Sequence, residues 1–174
     1  MAKGVIETWD KLEDFKRREV TFNGLKRKVY VAGIGPGVII IHEIPGITPE
    51  VARFARWVRD AGFTVYLPSL FGKPGKPISK GYTNASIFRV LCIAREFKIL
   101  NSADEHSPVV DWLKQLAAVV HSECGGKGVG ALGMCLTGNF ALSMMVEPAV
   151  RAPVLCQPSV PVNDPAGMHA SPQD

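Results

Sequence analysis

Apolar residues in this chain follow two rhythms, strict alternation over short runs and a three-to-four spacing over longer ones. Residues 19–22 and 26–32 alternate around Asn23-Gly24, which predicts two strands joined by a tight hairpin. Gly33, Gly35, Pro36 and Gly37 punctuate the chain before Val38-Ile39-Ile40-Ile41, a continuous β-branched run suited to a strand buried on both faces. A loop over 42–48 leads to a predicted helix over 49–61. Thr48 is its N-cap, Pro49 its first position, Val51, Phe54, Ala55 and Val58 its apolar stripe, and Gly62 its end. Residues 63–67 form the next buried strand, closed by Pro68. The Gly-, Pro-, Lys- and Ser-rich stretch 68–85 reads as a long loop.

Two helices follow, over 87–100 and 109–121. Ser107-Pro108 opens the second and Gly125-Gly126 stops it. A short buried strand over 129–132, a helix over 136–146 and a strand over 151–156 complete the pattern. Beyond Gln157 the chain turns polar and proline-rich, so one domain over 1–156 and an irregular tail over 157–174 are expected. Strands alternating with helices predict the α/β class, with a mostly parallel sheet flanked by helices. Ligands of such sheets bind at the carboxyl ends of the strands, which points to the loops 42–48, 68–76 and 133–138.

Composition narrows the function classes. The 174 residues suit one domain, and 47% hydrophobic with 21% charged residues suits a globular core. The net charge of +4 is scattered. Lys16-Arg17-Arg18 and Lys26-Arg27-Lys28 are offset by Glu13, Asp14 and Glu19, so no nucleic-acid partner is expected. No apolar run approaches the roughly 18 residues of a membrane span, and the first residues carry no signal-peptide core. Cysteines 92, 124, 135 and 156 have neither metal-ligand nor disulfide-framework spacing. They read as reduced thiols of a cytoplasmic protein without metal or cofactor.

Chemistry concentrates in Gly130-Ala131-Leu132-Gly133-Met134-Cys135-Leu136-Thr137-Gly138, where a strand runs directly into a helix. Small residues at 133 and 138 permit the sharp turn of a nucleophile elbow, and the following helix N-terminus would favour a thiolate and a nearby oxyanion. The alternative is that Cys135 is a small buried hydrophobe. A second feature is Ile41-His42-Glu43-Ile44-Pro45-Gly46 after a buried strand. Its loop can offer an oxyanion-binding N–H, and Glu43 implies function or an ion pair because a carboxylate is costly to bury alone. His42 reads as a hydrogen-bonded structural histidine.

Together GVIIIHEIPGI, AGFTVYLPSLFG and GVGALGMCLTG resemble the dienelactone hydrolase family of α/β-hydrolases over residues 36–156. The resemblance implies Cys135 as nucleophile, the backbone N–H groups of Leu136 and Ile44 as the oxyanion hole, and Glu43 as the group governing the cysteine's ionisation. It also implies Lys73 as the receiver of a substrate carboxylate, and a small ester or lactone as substrate. Two departures stand out. Thr137 replaces the first of two glycines usual in the family. The family's catalytic aspartate and histidine follow two further strands, whereas this sequence ends at Asp174, which implies a truncated sheet lacking its last strands and an incomplete triad. Asp164 and His169 lie in the tail with no strand to position them. Three functions follow: an ester or lactone hydrolase working through an acyl-enzyme, inactive if its triad is incomplete; a non-catalytic binding module; and a redox-sensitive thiol protein. An open sheet edge would invite a second copy to cover it.

Overall fold

The computed structural model describes residues 7–92 and 107–158. Among these residues six strands form one sheet. β1 (Lys16–Phe22) and β2 (Leu25–Ala32) make the expected hairpin, with Asn23 and Gly24 both at positive φ, 48° and 79°. β2 pairs antiparallel with β4 (Thr64–Ser69). From β4 across β3 (Gly37–Ile41) and β5 (Val129–Met134) to β6 (Val150–Cys156) every pairing is parallel.

Burial on both faces explains the unbroken apolar run of β3. Ile39 and Ile41 face a core built with helix α3 (Pro108–Cys124), whose Trp112, Leu113 and Leu116 are fully buried. Ile40 faces the opposite core, built with Val51, Ala52 and Ala55 of helix α1 (Pro49–Asp60). Each such side chain contributes roughly 1.5–3 kcal/mol on burial. Thr48 caps α1 as expected, its Oγ1 accepting from the Val51 N–H at 3.3 Å.

The second core also takes Leu12 and Phe15 from the segment ahead of β1. That segment is strapped down by polar bonds. Arg56 donates to both Asp10 and Asp14, Arg59 pairs with Asp14, the Trp9 Nε1–H donates to the Pro74 carbonyl, and the Asp10 N–H donates to the Gly75 carbonyl.

Three expectations need correction. Pro68 does not close β4 but lies inside it, opposite Val29. The last β3 partner on β4 is Tyr66, so beyond it only β2 pairs with β4, and a missing N–H forfeits no bond on the β3 side. The expected loop 68–85 ends early, because helix α2 runs from Lys80 to Cys92, with Ser79 Oγ accepting from the Tyr82 N–H at 3.3 Å. The helix expected over 136–146 is broken into a 3-10 turn (Cys135–Thr137), a short α4 (Gly138–Ser143) and another 3-10 turn (Met144–Val146). The rest of the helix expected to reach residue 100 and the tail from 159 onward lie outside the described residues.

Candidate active site

Parallel pairing of β3 and β5 sets Ile41 beside Gly133, so the two strands deliver their following segments side by side. One is the loop from His42 to Thr48 and the other is the turn holding Cys135. Met134 is still extended, and Cys135 then adopts φ +53° before the chain turns into the 3-10 segment. A non-glycine residue in this region costs about 1–2 kcal/mol, so the surroundings must impose it. Gly133 shows how: a Cβ there would lie 2.1 Å from the Thr137 carbonyl oxygen. The close approach draws the chain back beneath Cys135 and leaves that residue exposed at the apex. Only six residues of α-helix follow, so the dipole support expected from a longer helix is reduced.

The neighbouring loop is held by a buried histidine. His42 has no exposed surface; its Nδ1 lies 2.9 Å from the Glu43 carbonyl and its Nε2 accepts from the Leu70 N–H at 3.0 Å. These bonds require the tautomer protonated at Nδ1. Burial drives the His42 pKa down to about 4, with the Glu43 carbonyl opposing and Arg27 assisting the shift. His42 thus ties the loop after β3 to the loop after β4, as the structural reading anticipated. Contact continues at Gly72, where a Cβ would lie 2.1 Å from the Pro45 carbonyl oxygen.

Glu43 is half-buried, and burial together with the charge of Glu50 raises its carboxyl pKa above the usual range. Ile44 is half-buried beside it, and its N–H makes no backbone hydrogen bond among the described residues. Leu136 is half-buried directly after the cysteine. The structure thus groups Cys135 and Leu136 with the 42–44 segment through the pairing of β3 and β5. Lys73 is held elsewhere. Its side chain is exposed, and its backbone is clamped by Tyr82, whose hydroxyl accepts from the Lys73 N–H at 2.6 Å. A cavity of about 280 Å³ opens there, lined by Gly72, Lys73, Lys76, Tyr82 and Ser86, and Cys135, Glu43 and Ile44 do not line it. The two histidines among the described residues are both occupied, His42 as above and His121 with the Gly126 carbonyl at 3.2 Å. Among those residues no cluster fit to hold a metal is found, and no helix is long and apolar enough to cross a membrane.

In the sequence Thr137 stands out only as a replacement for a glycine usual in the family. The structure instead buries it completely and surrounds its hydroxyl with backbone. Tyr82, which fixes Lys73, gave no local signal beyond the Ser79 cap preceding it.

Comparison with known proteins shows the family and the fold. Residues 26–169 match the family described as "Dienelactone hydrolase family". A carboxymethylenebutenolidase of Pseudomonas sp. (strain P51) is 27% identical over 66% of this chain and 46% of its own length. A Saccharomyces cerevisiae protein bearing the same name is 31% identical over 66% of this chain and 40% of its own. This chain therefore spans less than half the length of either relative. Among solved structures, a dienelactone-hydrolase-type protein of Klebsiella pneumoniae superposes with a TM-score of 0.63 at 16% identity, covering 88% of this chain and 63% of that one. The thioesterase domain from the curacin biosynthetic pathway gives 0.52 at 18% identity, covering 85% and 46%.

Proposed function

Because this chain belongs to the dienelactone hydrolase family, we propose that it attacks ester or lactone carbonyls with the thiolate of Cys135. The observation that carries this reading is an exposed cysteine at φ +53° where β5 ends, beside the end of β3. That strain has no use for a cysteine serving only as packing.

The chemistry follows from the neighbours. Sγ forms a bond to the carbonyl carbon, and the carbonyl electron pair moves onto oxygen. The N–H groups of Ile44 and Leu136 receive that oxyanion, each donor contributing about 3 kcal/mol to the barrier. Collapse breaks the carbon–oxygen bond of the ester, and the alkoxide leaves with a proton. Glu43, whose carboxyl pKa is raised by burial and by the charge of Glu50, is our candidate to supply it. Water then cleaves the thioester and restores the thiol. Among the described residues His42 is held by the Glu43 carbonyl and the Leu70 N–H and His121 lies against the Gly126 carbonyl, so neither is proposed as the base that activates that water. A lactone substrate is favoured by the relatives named carboxymethylenebutenolidase, and the Lys73 and Lys76 hollow would suit a carboxylate on it.

Stopped-flow hydrolysis of p-nitrophenyl acetate beside Cys135→Ala tests this reading. A single burst of nitrophenol, lost in the variant and followed by slow turnover, is the expected result. Equal traces from both proteins would return Cys135 to the role of a core residue and favour the binding module. An oxidation-induced mass shift at Cys135 without any burst would favour the redox thiol instead.

A further inference from the structure

Thr137 has no exposed surface, and its hydroxyl lies within hydrogen-bond reach of four backbone atoms on two separate segments. It accepts from the Met134 N–H at 3.0 Å. Its one proton can go to the carbonyl of Ile41 at 3.0 Å, of Met134 at 3.0 Å or of His42 at 3.2 Å. Met134 immediately precedes the cysteine, and Ile41 and His42 begin the loop that carries Ile44. A side chain that bridges these two segments fixes the start of the loop carrying Ile44 relative to the turn carrying Cys135 and Leu136.

We propose that Thr137 is a positioning residue that locks the loop after β3 against the Cys135 turn, so that the oxyanion site is formed before substrate arrives. The inference rests on the ester-hydrolase reading above. It differs from a general packing role because the tie is made by the hydroxyl and not by bulk. A donor displaced by an ångström loses most of its effect on an oxyanion, while simple access to the sulfur hardly changes.

The experiment compares the wild type with Thr137→Ser, Thr137→Val and Thr137→Gly. Two rates are read on each protein: the p-nitrophenyl acetate burst, which needs the oxyanion donors, and alkylation of Cys135 by iodoacetamide, which does not. Removing the hydroxyl with bulk kept (Val) or removed (Gly) is expected to slow the burst by about tenfold or more. Alkylation should stay within about twofold, and Ser should recover most of the burst rate. Thermal melts identify any variant that fails to fold, and the Gly variant then carries the comparison with Ser. Burst rates that follow bulk rather than the hydroxyl would overturn the inference, as would burst and alkylation falling together. A wild-type burst that survives Cys135→Ala, or no burst at all, would defeat the ester reading itself and this inference with it. Those outcomes are distinguishable because the first pair of proteins differs only at Cys135 and the second only at Thr137.

Discussion

At the scale of single residues, the site holds one strained position and one suppressed charge. Cys135 occupies a left-handed conformation that glycine would accept freely. Cys135→Gly is therefore expected to stabilise the fold by about 0.5–1 kcal/mol while abolishing the burst. Urea denaturation checks this, and a lower midpoint in the variant would show that the turn is not under strain. His42 is neutral in the fold, with its pKa down at about 4 against 6.5 in the unfolded chain. Between those values the unfolded state binds more protons, so stability is full above pH 6.5 and drains away as the pH falls toward 4. The loss amounts to about 3 kcal/mol. Denaturation at stepped pH should show this slope, and a variant lacking the imidazole should lose it. Asp14, whose pKa Arg56 lowers to about 2, adds its own loss only at more acid pH, in the interval below the ordinary aspartate value of 3.8.

At the scale of elements, the strap ahead of β1 is held by more than surface charge. Arg56 is about a quarter exposed and bonds two carboxylates while lying over the ring of Phe15. Arg56→Ala is expected to cost about 1–2 kcal/mol, above the usual surface pair. Thermal melts at low and high salt should find that cost only partly screened. A loss below about 0.5 kcal/mol would place the grip in Leu12 and Phe15 alone. Elements whose signal is periodic were legible in the sequence. The Asn23-Gly24 hairpin, the doubly buried β3 and the capped α1 stand where the pattern put them. Features set by contacts between distant segments were not. Pro68 reads as a stop until the end of the β3 pairing is known, and the break-up of the helix after Cys135 carries no local mark. The candidate site divides the same way. Gly133 and Cys135 mark the turn locally, whereas the bonds of Thr137 reach 95 and 96 residues back along the chain.

At the scale of the whole molecule, the β6 side of the sheet exposes apolar side chains among the described residues. Val154 and Leu155 on β6 are 44% and 37% exposed. An apolar channel of about 350 Å³ runs between α1 and β6, lined by Val38, Val58, Phe63, Leu132 and Val154. Apolar surface of this kind drives association, so the chain is expected to self-associate as its concentration rises. Val154→Lys should reduce that tendency. Sedimentation velocity over a concentration series checks this, and a single monomeric species throughout would rule it out. The strap ahead of β1 carries a consequence in time. Its anchors at Pro74 and Arg56 lie 65 and 46 residues further along the chain. Closing such loops has to wait until the partners exist and are in place. A stretch that leaves the ribosome ahead of its partners is thus fastened only after them, and Leu12 and Phe15 stay in water until α1 and the turn after β4 have assembled.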